Sequence, residues 1–325
     1  MSTPRVVITR IPPCDIASLL DPVARLWIWP DNSVIPHDQL LRRAASADGL
    51  YCMLTDRIDD ELLGAAPGLR VISQMAVGVD NIDLAACTAR GIPVGHTPDV
   101  LTETTADLAF GLMIAAARRF GEGADAVRAG GWGAWDPGWM LGHDVHGSTL
   151  GIVGLGRIGR AVARRAAGFG MKVIYTKRSR DAIAEHGTGL EFRSLDDLLS
   201  ESDHVVVLTS LNEDTYHLID AEALALMKPS ATLVNASRGA VVDSDALAQA
   251  LSKGMIASAG LDVTDPEPIP TDHPLAVLSN CLIVPHLGSA TVRTRVHMAE
   301  LTAGNLLAAL SGERMPHCAN PEVYG

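Results

Sequence analysis

The chain has 325 residues, of which 47% are apolar and 20% are charged, so it is long enough to bury two medium-sized cores. Its formal net charge of -12 argues against a general nucleic-acid binder, which needs a basic face. The five cysteines include no CxxC pair and fit neither a disulfide framework nor a zinc site, so we expect reduced thiols and no metal.

The N-terminal run MSTPRVVITRIPP lacks the long apolar stretch of a signal peptide. The most apolar segment, residues 109–117, is much shorter than the about 20 residues that cross a bilayer. We therefore expect a cytoplasmic protein without a membrane or nucleic-acid partner.

In the first third of the chain, β-rich runs alternate with helical ones. The strand candidates are RVVIT at 5–9, LYCMLT at 50–55, LRVISQM at 69–75 and IPVGHT at 92–97. This alternation predicts a parallel sheet covered by helices. The run TETTADLAFGLMIAAARRF at 102–120 then predicts one long helix, because Thr and Glu open it, basic residues end it and its body is apolar.

A segment rich in glycine and tryptophan, AGGWGAWDPGWMLGHDVHG, separates this series from a second one. The strand candidates of the second series are TLGIVGL, MKVIYT, HVVVLTS, ATLVNAS, IASAGLDV and CLIVPH. Because helical stretches separate them, they predict a doubly wound α/β domain. After His286, the spacing of apolar residues predicts a last helix that ends at Gly312.

A GxGxxG motif lies between the first strand and the first helix of the second series. A lone GxGxxG is a weak signal, but here it has the strand–turn–helix setting in which it binds dinucleotides. Gly154 permits the tight turn, Gly156 lets the backbone approach a pyrophosphate, and Gly159 lets the helix pack on the strand. The helix N-terminus would then face the phosphates.

The end of the next strand is basic where an NAD-specific protein has an acidic residue. Thr176 occupies the position at which Asp or Glu usually accepts from the ribose 2'-hydroxyl. Lys177, Arg178, Ser179 and Arg180 follow and offer charge and hydrogen bonds to a phosphate. The pattern predicts the 2'-phosphate of NADP(H), with a solvated basic turn as the alternative.

Three stretches that follow strand candidates carry the catalytic candidates: NASRG at 235–239, LDVTDPEP at 261–268 and PHLGSAT at 285–291. Because strand C-termini face the ligand in open α/β sheets, we expect Arg238, Glu267 and His286 to converge. Taken singly, the three residues are better explained as a surface ion pair, a loop carboxylate and a capping residue.

Together the three side chains fit the reduction of a 2-keto acid by a hydride from NADPH. Arg238 would bind the substrate carboxylate and polarise the keto oxygen. His286 would act as acid and base, because histidine exchanges protons near neutral pH. Glu267 would orient the ring and favour its charged form.

The sequence resembles the D-isomer-specific 2-hydroxyacid dehydrogenase family, and within it the glyoxylate/hydroxypyruvate reductase branch. The resemblance covers nearly the whole chain and is carried by QMAVGVDNID, GIPVGHTPDVLTETTADLAFGLMIAAARR, GGWGAWDPGW, GIVGLGRIGRAVARR, NASRGAVVDSDAL, AGLDVTDPEPIPTDHPL and PHLGSAT. It implies a flavodoxin-like α/β substrate domain (1–98 and 289–325) and a Rossmann-type NADP-binding domain (99–288). It also implies a homodimer with a dimer arm near 120–147.

The resemblance assigns Arg238, Glu267 and His286 the roles given above and implies further site residues. Backbone N–H groups of Val77 and Gly78 would hold the substrate carboxylate, with Ser289 nearby. The implied coenzyme residues, besides the glycines, the basic cluster, Arg238 and His286, are Thr105, Leu155, Arg157, Ile158, Ser210, Ala236, Asp262 and Gly288.

The glycine/tryptophan segment has two interpretations. Trp132, Trp135 and Trp139 pack in the core, or they belong to the implied dimer arm, where Trp139 reaches the partner's substrate cleft and limits substrate size.

The sequence therefore predicts NADPH-dependent reduction of glyoxylate or hydroxypyruvate to the D-2-hydroxy acid. Alternatives within the class are 2-ketogluconate and other 2-keto acids. A coenzyme-sensing binding protein, like the similar C-terminal-binding-protein corepressors, is a second reading. An S-adenosylmethionine-dependent methyltransferase is a third, although it needs neither the basic cluster nor the Arg238, Glu267 and His286 set.

Overall fold

The structure, a computed structural model, describes residues 3–325 and divides the chain into two compact units. The first unit comprises the residues up to Leu101 together with Thr291–Gly325, and the second comprises Thr102–Ala290. These divisions fall a few residues after the predicted domain boundaries. The assignment of one domain to substrate and the other to NADP stays a prediction.

Regular secondary structure in the described residues consists of strands, α-helices and two 3-10 helices. The strands are β1 (Arg5–Ile8), β2 (Arg25–Ile28), β3 (Gly49–Cys52), β4 (Val71–Gln74), β5 (Val94–Gly95), β6 (Thr149–Val153), β7 (Lys172–Thr176), β8 (Glu191–Phe192), β9 (His204–Val207), β10 (Thr232–Asn235), β11 (Ser258–Leu261) and β12 (Cys281–Ile283). The α-helices are α1 (Ala17–Leu20), α2 (His37–Ala44), α3 (Asp60–Ala65), α4 (Leu84–Ala89), α5 (Thr102–Ala117), α6 (Phe120–Arg128), α7 (Arg157–Ala167), α8 (Ala182–Glu185), α9 (Leu195–Glu201), α10 (Ala221–Leu226), α11 (Ser244–Ser252), α12 (Pro274–Val277) and α13 (Val292–Leu310). The 3-10 helices are Gly239–Val241 and Pro321–Tyr324.

The first unit contains a parallel sheet in the order β2-β1-β3-β4-β5. This is the flavodoxin-like order, so the predicted fold of this domain is confirmed. Apolar clusters cover both faces of the sheet, and α13 packs against β3 and β4 on one of them. The sequence analysis missed β2, an edge strand whose residues are all partly or fully exposed.

The second unit contains a parallel sheet in the order β12-β11-β10-β9-β6-β7-β8. Read from β8 and numbered from β6, the order is 3-2-1-4-5-6-7, which contains the strand order of the doubly wound dinucleotide-binding fold. All the strands predicted for this series are confirmed. The structure adds β8, which has only two residues and too little pattern to be recognised.

The long helix predicted for residues 102–120 is wrong at its C-terminal end, because α5 ends at Ala117 and α6 begins at Phe120. Arg119 separates them with a left-handed backbone, φ 57°. Its guanidinium donates to both carboxylate oxygens of Glu122, at 2.7 and 2.8 Å, and to the carbonyl of Leu141 at 3.3 Å. These bonds hold the chain in the conformation that ends the helix.

In the second unit, two loops that follow the C-terminal ends of neighbouring strands are in backbone contact at Gly239. A Cβ atom at Gly239 would lie 1.9 Å from the carbonyl oxygen of Thr264 and 2.6 Å from the nitrogen of Asp265. Only glycine fits between these atoms, so the loop after β10 and the loop after β11 lie directly against each other.

We expect Gly239→Ala to lower the free energy of unfolding by about 1–3 kcal/mol, because the added methyl group forces two backbone segments apart. Gly111→Ala in α5 is the matched control, since nothing lies within 4 Å of its Cβ position. Alanine should stabilise that helix by about 0.5–1 kcal/mol. Denaturant unfolding of both variants measures the difference, and equal stability would contradict the close approach.

Candidate active site

The glycine loop after β6 has the geometry of a phosphate cradle. Gly154 has φ +101°, and a Cβ there would lie 2.7 Å from the nitrogen of Thr209. A Cβ at Gly159 would lie 2.5 Å from the carbonyl oxygen of Gly154, so α7 packs tightly on the turn. No atom lies within 4 Å of the Cβ position of Gly156, which leaves room for a ligand at the start of the eleven-residue helix α7. A pyrophosphate fits this combination.

The other residues predicted to bind coenzyme follow the C-terminal ends of neighbouring strands. In and after the glycine loop, Leu155 is buried, Ile158 is half-buried and Arg157 is exposed. Ser210, which lies in the loop after β9, is exposed, and its carbonyl accepts from the hydroxyl of Thr215 at 2.7 Å. Ala236 is buried after β10. These residues therefore all lie at the end of the sheet where the strands have their C-termini.

The basic cluster begins where β7 ends, at Thr176, but its charges have acidic partners. Lys177 Nζ lies 3.3 Å from Asp181 Oδ2, and Arg180 Nη2 lies 2.7 Å from Glu185 Oε2. Arg178 is 85% exposed and lies 3.5 Å from Asp214. The sequence analysis did not consider these carboxylates, although two of them lie within nine residues of Thr176.

His286 and Glu267 form a hydrogen-bonded pair, with 2.7 Å between Nδ1 and Oε1. Their side chains are 27% and 36% exposed. Burial raises the pKa of Glu267, but the hydrogen bond and charge of His286, the Thr264 N–H and the charge of Arg238 outweigh it and hold the pKa below its usual value. The carboxylate therefore stays ionised beside the ring.

Arg238 lies in the loop between β10 and the first 3-10 helix. Asn235 fixes this loop, because its Nδ2 donates to the carbonyl of Arg238 at 2.9 Å and its Oδ1 accepts from Ser237 N–H at 3.1 Å. The guanidinium donates to the carbonyl of Ser237 at 2.9 Å and lies close enough to lower the pKa of Glu267. The structure thus brings together Arg238, Glu267 and His286.

Asp262 and Thr105, which were predicted to contact coenzyme, hold the loop that follows His286. The carboxylate of Asp262 accepts from the N–H groups of Leu287 at 2.5 Å and Gly288 at 2.9 Å. Thr105 Oγ1 donates to the carbonyl of Gly288 at 3.0 Å. Burial raises the pKa of Asp262, although these N–H groups and His286 oppose that shift. Sequence reasoning missed this anchoring role.

The predicted carboxylate-binding residues Val77 and Gly78 lie in the first unit, in the loop after β4. Val77 O lies 3.0 Å from His96 Nδ1, and Gly78 O accepts from Gln74 Nε2 at 2.5 Å. Over residues 3–325, the N–H groups of Val77 and Gly78 donate no hydrogen bond. Ser289 is buried in the second unit.

The tryptophans between α6 and β6 do not pack in a core of this chain. Trp132 is 64% exposed, Trp135 is 84% exposed and Trp139 is 39% exposed. The core-packing interpretation is therefore wrong within one chain. Phe120 and Val127 in α6 and Leu141 after it are also more than half exposed, so the stretch 120–141 presents apolar side chains to its surroundings.

In the described part of the chain, one group of side chains has metal-ligand chemistry: His37, Asp59 and Glu61, whose ligand atoms lie within 4.8 Å of one another. Asp59 is already engaged, because it accepts from the Leu62 N–H at 3.1 Å and pairs with Arg57 at 2.5 Å. None of the helices in residues 3–325 is long and apolar enough to cross a membrane.

Comparison with known proteins places the chain in a family. Residues 110–288 match the model of the D-isomer specific 2-hydroxyacid dehydrogenase NAD binding domain. The chain is 49% identical to the glyoxylate reductase of Thermococcus kodakarensis, over 98% of this chain and 97% of that protein.

Two solved structures with bound coenzymes are also similar. The NADPH-dependent glyoxylate/hydroxypyruvate reductase of Sinorhizobium meliloti, in complex with NADP and malonate, has a TM-score of 0.85 and 31% identity, covering 99% of this chain and 98% of that one. The D-lactate dehydrogenase of Aquifex aeolicus, complexed with NAD and lactic acid, has a TM-score of 0.84 and 29% identity, covering 97% and 99%. The chain therefore belongs to the D-isomer-specific 2-hydroxyacid dehydrogenase family, in its glyoxylate reductase branch.

Proposed function

We propose that the protein reduces a small 2-keto acid, glyoxylate or hydroxypyruvate, to the D-2-hydroxy acid with NADPH. The observation that carries this proposal is the hydrogen-bonded pair of His286 and Glu267 beside Arg238. Similarity to glyoxylate reductases, at 49% identity over nearly the whole chain, supports the choice of substrate. Among the alternatives, 2-ketogluconate and other 2-keto acids carry the same carboxylate and keto group.

The three side chains have different roles in this reaction. Arg238 binds the substrate carboxylate and polarises the keto oxygen through its planar guanidinium. His286 donates to Glu267 through Nδ1, and the other ring nitrogen, Nε2, protonates the keto oxygen as negative charge develops there. Glu267 stabilises the charged ring before that transfer. The coenzyme supplies the hydride when it is bound.

In the same proposal, the N–H groups of Val77 and Gly78 hold the substrate carboxylate, and Ser289 belongs to the substrate site. Within residues 3–325, these two N–H groups donate no hydrogen bond, which supports the first assignment. Thr105 and Asp262 keep the loop at His286 and Gly288 in place.

The residues proposed to hold NADP are the glycine loop and the segment that follows β7. Gly154, Gly156 and Gly159 supply the cradle, and Thr176 puts no carboxylate beside the 2'-position of the ribose. Lys177 is the cation next to it in sequence. The reductase of Sinorhizobium meliloti was solved with NADP, whereas the lactate dehydrogenase was solved with NAD, so the family includes both coenzymes.

The alternative to an enzyme is a non-catalytic binding protein that senses the coenzyme. Such a protein needs the glycine loop but not a proton donor with an ionised partner. The His286 and Glu267 pair therefore favours the enzyme.

We also propose that the protein is a cytoplasmic homodimer whose arm spans residues 120–147. The exposed tryptophans support the arm, because an isolated apolar surface of this kind is typical of an interface.

The function is tested by the oxidation of NADPH and NADH, followed by absorbance, with glyoxylate, hydroxypyruvate, pyruvate and 2-ketogluconate. We expect kcat/KM at least tenfold higher with NADPH and with one of the first two acids. A preference for NADH would overturn the coenzyme assignment and leave the reductase. Tight coenzyme binding without turnover of any acid would favour the coenzyme sensor.

The Glu267→Gln variant should lower kcat/KM for reduction by about tenfold or more, because glutamine keeps the shape of the side chain but removes the charge beside the His286 ring. Because the pKa of Glu267 is held below its usual value, the wild-type carboxylate is ionised from about pH 5 to pH 9, and the loss should appear across that whole range. Measurements of kcat/KM over this range check both expectations. Asp265→Asn is the control, since it removes the same charge from the same loop. Equal kcat/KM values for Glu267→Gln and the wild type would argue against the pair.

The Trp139→Ala variant should weaken the dimer and raise activity toward larger 2-keto acids relative to glyoxylate. Light scattering during gel filtration measures the oligomer, and the ratio of kcat/KM values measures substrate size selection. Val277→Ala is the control, because Val277 is 71% exposed on α12, outside the arm. If the Trp139 variant kept both properties, its proposed place at the partner's site would be disproved.

A further inference from the structure

The segment after β7 is less basic in the structure than in the sequence. Arg180 forms a bidentate ion pair with Glu185, in which its Nε and Nη2 donate to the two carboxylate oxygens at distances of 2.7–3.0 Å. The hydroxyl of Tyr175 donates to the same carboxylate at 2.9 Å. Arg180, which the sequence analysis included among the phosphate ligands, is therefore held by another anion.

A second carboxylate, Asp181, binds two cations at once. Its Oδ2 accepts from Arg160 Nη2 at 2.5 Å and from Lys177 Nζ at 3.3 Å. Arg160 belongs to α7, the helix that the glycine loop opens, and Lys177 directly follows Thr176. The two cations thus meet between the phosphate cradle and the end of β7, and Asp181 neutralises one of their two charges.

The position of Asp181 is fixed by its other contacts. Oδ1 accepts from the Ala184 N–H at 3.0 Å and caps α8, and the N–H of Asp181 donates to the hydroxyl of Tyr175 at 2.8 Å. The Asp181 side chain is 15% exposed. Its pKa lies below the usual value because of the Ala184 N–H, Lys177 and Arg160, so the carboxylate is ionised at neutral pH.

We propose that Asp181 is a specificity-determining residue that competes with the 2'-phosphate of the coenzyme for Lys177 and Arg160. This inference rests on the proposed use of NADP. A phosphate that binds these two cations must share them with a fixed carboxylate and be repelled by it, so part of its electrostatic gain is lost. The ribose of NADH has no 2'-phosphate, so Asp181 takes no such electrostatic stabilisation from it. Asp181 therefore limits the preference for NADPH over NADH.

The competing role can be separated from the capping role. Asparagine and serine both cap helices about as well as aspartate, so Asp181→Asn and Asp181→Ser keep the bond to Ala184 and remove the charged oxygen that accepts from Arg160 and Lys177. Asp220→Asn is a matched control in the same unit, since Asp220 caps α10 by accepting from Ala223 N–H at 2.9 Å.

The experiment measures the dissociation constants of adenosine 2',5'-bisphosphate and AMP by isothermal titration calorimetry, so that only the 2'-phosphate differs. We expect the ratio of the two constants to favour the bisphosphate about tenfold more in Asp181→Asn and Asp181→Ser than in the wild type. AMP binding should change less than about twofold, and Asp220→Asn should match the wild type. Thermal melting verifies that each variant is folded.

An unchanged or smaller ratio in both Asp181 variants would overturn the competing role, and so would equal changes for the two ligands. The NADP proposal is judged separately. It fails if the wild type does not prefer the bisphosphate and Lys177→Ala leaves the ratio unchanged. In that case, a ratio that rises only in the Asp181 variants would still support the competition.

Discussion

The hydrogen bonds of the buried residue Asp262 determine where His286 lies. This carboxylate accepts from two successive N–H groups, those of Leu287 and Gly288, while the carbonyl of Asp262 accepts from the N–H of His286 at 2.9 Å. His286 itself has φ 53°, a conformation that residues other than glycine rarely adopt. Three bonds to one residue hold it there, and the ring then meets Glu267. Together with the Thr105 hydroxyl, which donates to the carbonyl of Gly288, these bonds fix the path of the loop after β12.

Close backbone contacts give the rest of the site its shape. Gly239 lies against Thr264, which brings the Arg238 loop to the Glu267 loop, and Gly154 lies against Thr209. A side chain at either glycine would occupy the place of a neighbouring main chain. The site therefore depends on a parallel sheet whose C-terminal loops are packed directly on one another, as the doubly wound order requires.

The sequence predicts most of the fold, because strands buried on both faces and a glycine loop leave strong local patterns. It also predicts that Arg238, Glu267 and His286 lie close together, as they do in the structure, whereas their catalytic roles stay a prediction. It does not predict β2 or β8, which are short and partly exposed. The sequence also does not predict the break between α5 and α6 at Arg119. This break depends on bonds from Arg119 to Glu122 and to the carbonyl of Leu141, and Leu141 is distant in sequence.

The same limit applies to the charges near Thr176. Sequence order groups Lys177 with Arg180, whereas the fold pairs Lys177 with Arg160 through Asp181 and ties Arg180 to Glu185. Which carboxylate meets which cation is a property of the tertiary structure and leaves no periodic pattern.

The positions of the tryptophans have a spectroscopic consequence. Of the five tryptophans, Trp27 and Trp29 lie in the first unit, and the other three are exposed on the segment between α6 and β6. The sheet and core helices of the second unit contain none. Intrinsic tryptophan fluorescence therefore reports on the first unit and on the surroundings of that segment, while melting of the dinucleotide-binding sheet has to be followed by circular dichroism.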